Sequence, residues 1–182
     1  MKQRLEEWAH SGESTEGFVL RYAQLQGAEL IDPPGGYNLS RANLFRAQLQ
    51  GAKMFNIDLR GTELPKSDLS GANLNEAKMQ GTDLLGATIA GTRLERVQWG
   101  DRTVQEQEGR AAVAEGRRDD AVSRFEEAEE VYRSLRRAYD SVGRFEEAGS
   151  FFSREMTMRR MLLPKWSMGR AWSVFGKKMT RG

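Results

Sequence analysis

Large apolar side chains recur at every fifth position along the middle of this chain. In "SGANLNEAKMQGTDLLGATIAGTRL", residues 70–94, they are Leu74, Met79, Leu84, Ile89 and Leu94. On an α-helix a five-residue step turns by about 500°, so these residues would wind around the rod. On one flat strand every second one would face the wrong side. Five is odd, so the chain must reset its facing once per repeat. A short extended piece followed by a corner does this. With roughly a quarter turn at each corner, four pentads close one coil of about 20 residues, and the prediction is a square β-solenoid.

The pattern runs without a slip through Leu39, Leu44, Leu49, Met54, Leu59, Leu64, Leu69, Leu74, Met79, Leu84, Ile89, Leu94 and Trp99. These thirteen centres are the predicted β-helix core. Stacking coils would align Leu44 with Leu64 and Leu84, and Leu39 with Leu59, Met79 and Trp99. The residue two before each centre is mostly Ala, Thr or Ser, as a narrow tube with room for one large residue per side requires. Tyr37, Ile57 and Val97 depart from that rule and predict a locally wider coil or a contact outside the tube. Two residues beyond the centres, glycines such as Gly51, Gly71 and Gly91 supply corners. Upstream, Leu20, Leu25 and Leu30 keep the step. Leu30 to Leu39 spans nine residues, one pentad plus four, which predicts a bulge in "IDPPGGY". Within it Asp32, Pro33, Pro34, Gly35 and Gly36 read as a turn and as a candidate recognition loop on a rigid wall.

The stretch "ANLNEAKMQGTDLLGATIAGTRL" resembles the pentapeptide-repeat family, whose motif is A(D/N)LxG. The resemblance is strong over 37–101 and implies a right-handed quadrilateral β-helix, here of about four coils.

From residue 101 the pentads stop and helix signals begin. "DDAVSRFEEAEEVYRSLRRAYDSVGRFEEAGSFFSREMTMRRMLL" is rich in Glu, Arg and Ala and has no proline. Val122, Phe125, Val131, Leu135, Ala138 and Val142 recur at helical spacing, and Glu129 precedes Arg133 by one turn. Gly143 ends that run, with a second helix from about Arg144. "GRRDDA" at 116 echoes "GRFEEA" at 143. The spacing of Leu135, Tyr139, Gly143, Ala148 and Phe152 is similar to one tetratricopeptide repeat. One such repeat cannot bury a continuous core, so the expectation is a helical hairpin docked over Trp99 on the last coil. It would cover a strand edge that otherwise invites aggregation. "LEEWAH" is expected to form a short helix over the other end. The organisation is thus a capping segment (1–17), a β-helix (18–100), a TPR-like hairpin (101–163) and a tail (164–182).

Charge adds one asymmetry that the net +2 conceals. After Glu155 there are seven Lys or Arg and no acid. If 165–179 is helical, Met168, Trp172, Phe175 and Met179 share one face. A basic amphipathic helix with tryptophans sits at a membrane surface or precedes a spanning helix. Lys165, Trp166, Arg170, Trp172, Phe175, Lys177, Lys178 and Arg181 are therefore candidate contacts to an anionic membrane or a partner. Docking of this helix on the hairpin or on a second copy is the alternative.

Chemistry of other kinds finds no foothold. There are no cysteines, which removes thiolate nucleophiles and zinc–thiolate sites. His10 is the sole histidine, the "EEAEE" run at 126–130 reads as a solvated face, and no phosphate loop or metal-ligand spacing occurs. The expectation is a non-enzymatic protein with no cofactor. Some pentapeptide-repeat proteins carry a similar hairpin followed by ion-channel-type membrane helices. That resemblance implies a cytoplasmic, regulatory module beside a membrane, whose partner is its own membrane domain or another protein. A free-standing scaffold, with homo-oligomerisation open, is the alternative. A DNA-mimicking gyrase ligand is disfavoured, because the solenoid's mixed charges make no strong negative field, and the tail would bind nucleic acid only non-specifically.

Overall fold

The computed structural model describes residues 1–11, 13–31 and 37–163. Parallel bridges tie Asn38 to Asp58, Asp58 to Lys78 and Lys78 to Gln98, and the same 20-residue step joins Asn43, Glu63 and Asp83. Four such columns make the four faces of a solenoid. Among the described residues the bridges are isolated and do not merge into strands. A corner every five residues leaves each face one bridge wide. The first coil differs: Val19 pairs with Asn43, Gln24 with Gln48 and Glu29 with Lys53, each 24 residues on. The four additional residues fall between Ile31 and Tyr37, as the spacing of the leucines requires. The loop residues Asp32 to Gly36 lie outside the described residues.

Each pentad is built by the same few bonds. The centre's N–H donates to the coil ahead (Leu64 N to Asp83 O, 2.9 Å), and the residue before it donates to the coil behind (Asp83 N to Thr62 O, 3.0 Å). The centre's carbonyl then accepts from the residue three on, as in Ala47 N to Leu44 O at 2.9 Å. The third residue of that turn has positive φ, the type II pattern. Gly51, Gly71 and Gly91 meet this demand at φ 66°. Arg41, Arg46, Lys66, Glu76 and Arg96 adopt the same conformation with side chains attached. The motif's Asn or Asp is explained as well. Its carboxyl or amide oxygen accepts the N–H two residues on, as Asp68 does from Ser70 (2.9 Å) and Asp83 from Leu85 (2.9 Å). Where Thr replaces Ala inside the tube, its hydroxyl donates to a carbonyl one coil back. Thr62 bonds Leu39 O and Thr82 bonds Leu59 O, both at 2.7 Å.

Centres from Leu39 to Leu94 are buried, with Leu44, Leu64 and Leu84 in one column; Trp99 is half-buried. Fully burying one such Leu is worth about 2 kcal/mol. Tyr37 and Ile57 are also buried, while Val97 is partly exposed.

Both solenoid ends are covered. Helix α1 (Lys2–Ser11) buries Leu5 and Ala9. It also caps the first coil's open edge: Glu6 accepts the Glu29 N–H (2.9 Å) and Lys2 donates to Gln26 O (2.8 Å). At the other end stand three helices, one more than the expected hairpin: α2 (Val104–Ala114), α3 (Arg118–Ser141) and α4 (Phe145–Leu162). Thr103 caps α2 through its side chain. The α2–α3 and α3–α4 turns share one geometry, with Gly116 and Gly143 both at φ 75°. That shared turn is what the GRRDDA and GRFEEA echo encodes. Along α3 the buried face is Ala121, Phe125, Ala128, Val131, Tyr132, Leu135 and Tyr139. Val122 and Val142, expected on it, are exposed instead. The buried stripe runs through the two tyrosines, and those valines lie to its side.

Candidate partner-binding surfaces

The junction between solenoid and helices buries polar groups among aromatic rings. The Trp99 indole N–H donates to the Tyr139 hydroxyl (2.8 Å), which donates to Leu94 O on the last coil (2.9 Å). Phe151 from α4 stacks on Tyr139 at 5.6 Å and meets Trp99 edge-on at 6.0 Å. Arg154 lies over Phe151 and donates to Gly100 O (3.2 Å). Burial pushes the Tyr139 phenol above its ordinary range. Burial, with a hydrogen bond to Glu106, does the same for Tyr132.

Two carboxylates sit inside this region. Glu106 accepts from the Tyr132 hydroxyl (2.6 Å) and from Arg110 (2.8 Å). Glu155 is bound by Arg136 (2.9 Å), Arg159 (2.9 Å) and Arg133 (3.4 Å). These groups hold α2, α3 and α4 together. Glu129 corrects the reading of "EEAEE" as wholly solvated. Burial opposes its charge, but Arg159 and Arg133 together hold its carboxyl below the ordinary range. His10 is exposed on α1, its Nδ1 2.6 Å from Glu6 O one turn back. Among the described residues no cluster could hold a metal ion.

The surface is organised differently, in columns one coil apart, about 4.8 Å. At one corner Gly27, Gly51, Gly71 and Gly91 leave a bare edge. On other corners and faces, cations and acids pair across coils: Arg41 with Glu16, Lys53 with Glu29, and Arg96 with Glu76. Within one pentad Arg60 holds Asp58. On α4 the face carrying Ala148, Phe151, Glu155 and Met158 is buried. Beside it, Phe145 and Phe152 stay 73% and 48% exposed.

The sequence-predicted core centres therefore converge inside the tube. The candidate loop Asp32–Gly36 and the contact residues Lys165, Trp166, Arg170, Trp172, Phe175, Lys177, Lys178 and Arg181 lie outside the described residues. Sequence reasoning missed Tyr132, Glu106 and Glu155. Its one available signal was Thr103-Val-Gln-Glu106, a capping-box pattern that marks the start of α2.

This architecture defines a class: a quadrilateral repeat solenoid with helical caps, displaying columns of side chains. A family model described as "Pentapeptide repeats" matches in eight copies over residues 36–61, 52–89 and 67–98. The chain belongs to the pentapeptide-repeat family. It is 30% identical to a pentapeptide repeat protein from Nostoc Pcc 7120, covering 50% of this chain and 74% of that one, with a TM-score of 0.46. A pentapeptide repeat protein of the Arabidopsis thaliana thylakoid lumen is 24% identical over 46% of this chain and 59% of its own, with a TM-score of 0.32. HetL, a Nostoc pentapeptide repeat protein involved in heterocyst differentiation regulation, is 32% identical over 44% of this chain and 38% of its own (TM-score 0.24). No curated protein matches this sequence.

Proposed function

We propose that this chain is a non-enzymatic binding and scaffolding module, held at the cytoplasmic face of a membrane by its basic aromatic segment. The observation that carries the reading is the position of its unused apolar surface. Helix α4 keeps Phe145 and Phe152 exposed and continues in sequence into residues 164–182, where Trp166, Trp172 and Phe175 alternate with Lys and Arg and no acid occurs. Apolar area combined with positive charge is what an anionic lipid surface selects. Among the described residues no helix is long and apolar enough to cross a membrane, so surface attachment is the mode proposed. The buried carboxylates support the non-enzymatic part, because each is committed to arginines within the helical cap.

Flotation of the full chain with phosphatidylcholine vesicles, with and without phosphatidylglycerol, tests this. Recovery with the anionic vesicles, lost on combining Trp166→Ala with Trp172→Ala, is the expected result. Failure to float, or flotation unchanged in the double variant, refutes membrane attachment. The second reading, a free-standing scaffold for a protein partner, is favoured by one corner of the solenoid whose cations belong to no ion pair among the described residues.

A further inference from the structure

At that corner the backbone stacks two columns side by side. Tyr22 N–H donates to Phe45 O (2.9 Å), Arg46 N–H to Pro65 O (3.0 Å) and Lys66 N–H to Leu85 O (2.9 Å). One column therefore runs Arg21, Phe45, Pro65, Leu85, and its neighbour runs Tyr22, Arg46, Lys66, Gly86. The first is largely apolar; the second places Arg46 directly beneath Lys66. Arg21, Arg46 and Lys66 are all exposed. Among the described residues the solenoid's ion pairs are Arg41–Glu16, Lys53–Glu29, Arg60–Asp58 and Arg96–Glu76, and the three ridge cations belong to none. The flanking carboxylates are engaged by other donors: Glu63 by Asn43, Asp68 by Ser70 and Gln50, and Asp83 by Gln105.

Two of the three cations are also held in place. Arg21 lies 4.8 Å and Arg46 5.3 Å from the centre of the Phe45 ring, so two guanidiniums converge on one aromatic. Tyr22 meets the same ring edge-on at 5.6 Å. Gathering like charges costs energy that the ring offsets in part, and it fixes positive charge at this corner.

From this geometry we infer that the ridge is a docking site for an extended acidic segment of a partner protein, in which carboxylate side chains alternate with apolar ones. An extended chain laid along the corner sends alternate side chains to alternate sides. Its carboxylates meet the Arg46–Lys66 column and Arg21, and its apolar side chains meet Phe45, Pro65 and Leu85. A peptide fits better than a single-stranded nucleic acid. Base stacking needs an open aromatic face, and Phe45 is already crowded by two guanidiniums and Tyr22, while Pro65 and Leu85 carry no π-face. The inference rests on the binding-module reading but does not require the membrane.

The test is fluorescence anisotropy with the full chain and a labelled peptide alternating glutamate and leucine. Saturable binding that weakens with added salt is expected, and Arg21→Gln, Arg46→Gln and Lys66→Gln combined should weaken it by about tenfold or more. The side chains are exposed and their mutual repulsion is removed, so the triple variant's thermal midpoint should not fall below the parent's. Arg93→Gln with Lys78→Gln, on other faces, should leave binding unchanged. No saturable binding, equal loss in the control variant, or tighter binding of oligothymidylate through the same three cations would overturn the inference. A parent chain that floats with anionic vesicles but shows no saturable peptide binding would sink the ridge alone and leave the membrane-held module reading standing.

Discussion

Three glycines separate the effects of backbone conformation and of space, and the same substitution should act on them with different signs. At Gly71 an added Cβ meets nothing within 4 Å, but φ is +66°. Alanine there takes on a left-handed conformation costing about 1–2 kcal/mol, partly offset by the 0.4–1 kcal/mol of unfolded-state entropy that it removes. The net loss is roughly 0.5–1 kcal/mol. At Gly149, inside α4, a Cβ also meets nothing within 4 Å and φ is helical. Alanine should therefore stabilise by up to about 1 kcal/mol. At Gly109 the conformation is helical too, but the Cβ would fall 2.7 Å and 2.8 Å from the Phe125 ring and 3.2 Å from Arg124 Cβ. Phe125 is buried, so the ring cannot swing out, and overpacking of about 1–3 kcal/mol outweighs the gain in propensity. Thermal unfolding followed by circular dichroism reads the series, at about 2–4 °C per kcal/mol for a chain of this size. The expected order of midpoints is Gly149→Ala above the parent, Gly71→Ala below it and Gly109→Ala lowest. A Gly71→Ala protein as stable as the parent would refute the account of the corners.

Further outcomes follow from single contacts. Leu64→Ala, at a fully buried centre in the middle of the tube, should cost about 3–5 kcal/mol in urea unfolding. Asp68 is held below the ordinary carboxylate range first by the Ser70 hydroxyl and then by the Ser70 N–H. Its contribution is therefore complete above the unfolded pKa near 4 and disappears as pH falls through the lower folded value. Asp68→Asn should flatten the acid limb of a midpoint-versus-pH curve and leave the neutral plateau's slope unchanged. Lys66→Glu would face Arg46 in the adjacent coil and should raise the midpoint slightly, by the worth of an exposed pair, about 0.2–1 kcal/mol. The same change should weaken the acidic peptide, and tighter peptide binding would contradict the ridge.

Some of this structure was open to reading from the sequence and some was not, for physical reasons. An odd period in large apolar residues permits few solutions, so the tube, its inward ladder and the four-residue excess before Tyr37 follow from spacing alone. The corners were only half visible. Glycines announce positive φ, but Arg46, Lys66 and Glu76 adopt it because the coils on either side dictate the turn, and their own chemistry does not reveal that. The helical cap was less legible still. Glu155 looks like one more solvated acid on an Arg-rich helix until Arg133 and Arg136 from α3 close over it. Tyr132 gave no sign, because its partners Glu106 and Thr103 precede it by a whole helix and turn.

The columns are what connect this fold to binding. In a compact globular fold, residues far apart in sequence reach one surface by a route that no short pattern records. Here every residue is followed along its corner by the residue one coil later, so surface chemistry is written at fixed intervals. Where the intervals read Glu76 and Arg96, neighbouring coils attract and the column adds cohesion. Where they read Gly51, Gly71 and Gly91, there is nothing to recognise except backbone. Arg46 and Lys66 do neither: they stack like charges, which destabilises adjacent coils, at a position where the glycines and ion pairs of other corners show cheaper choices. Cohesion of the tube does not account for that arrangement. An acidic ligand does, because it supplies the carboxylates that the neighbouring coils lack.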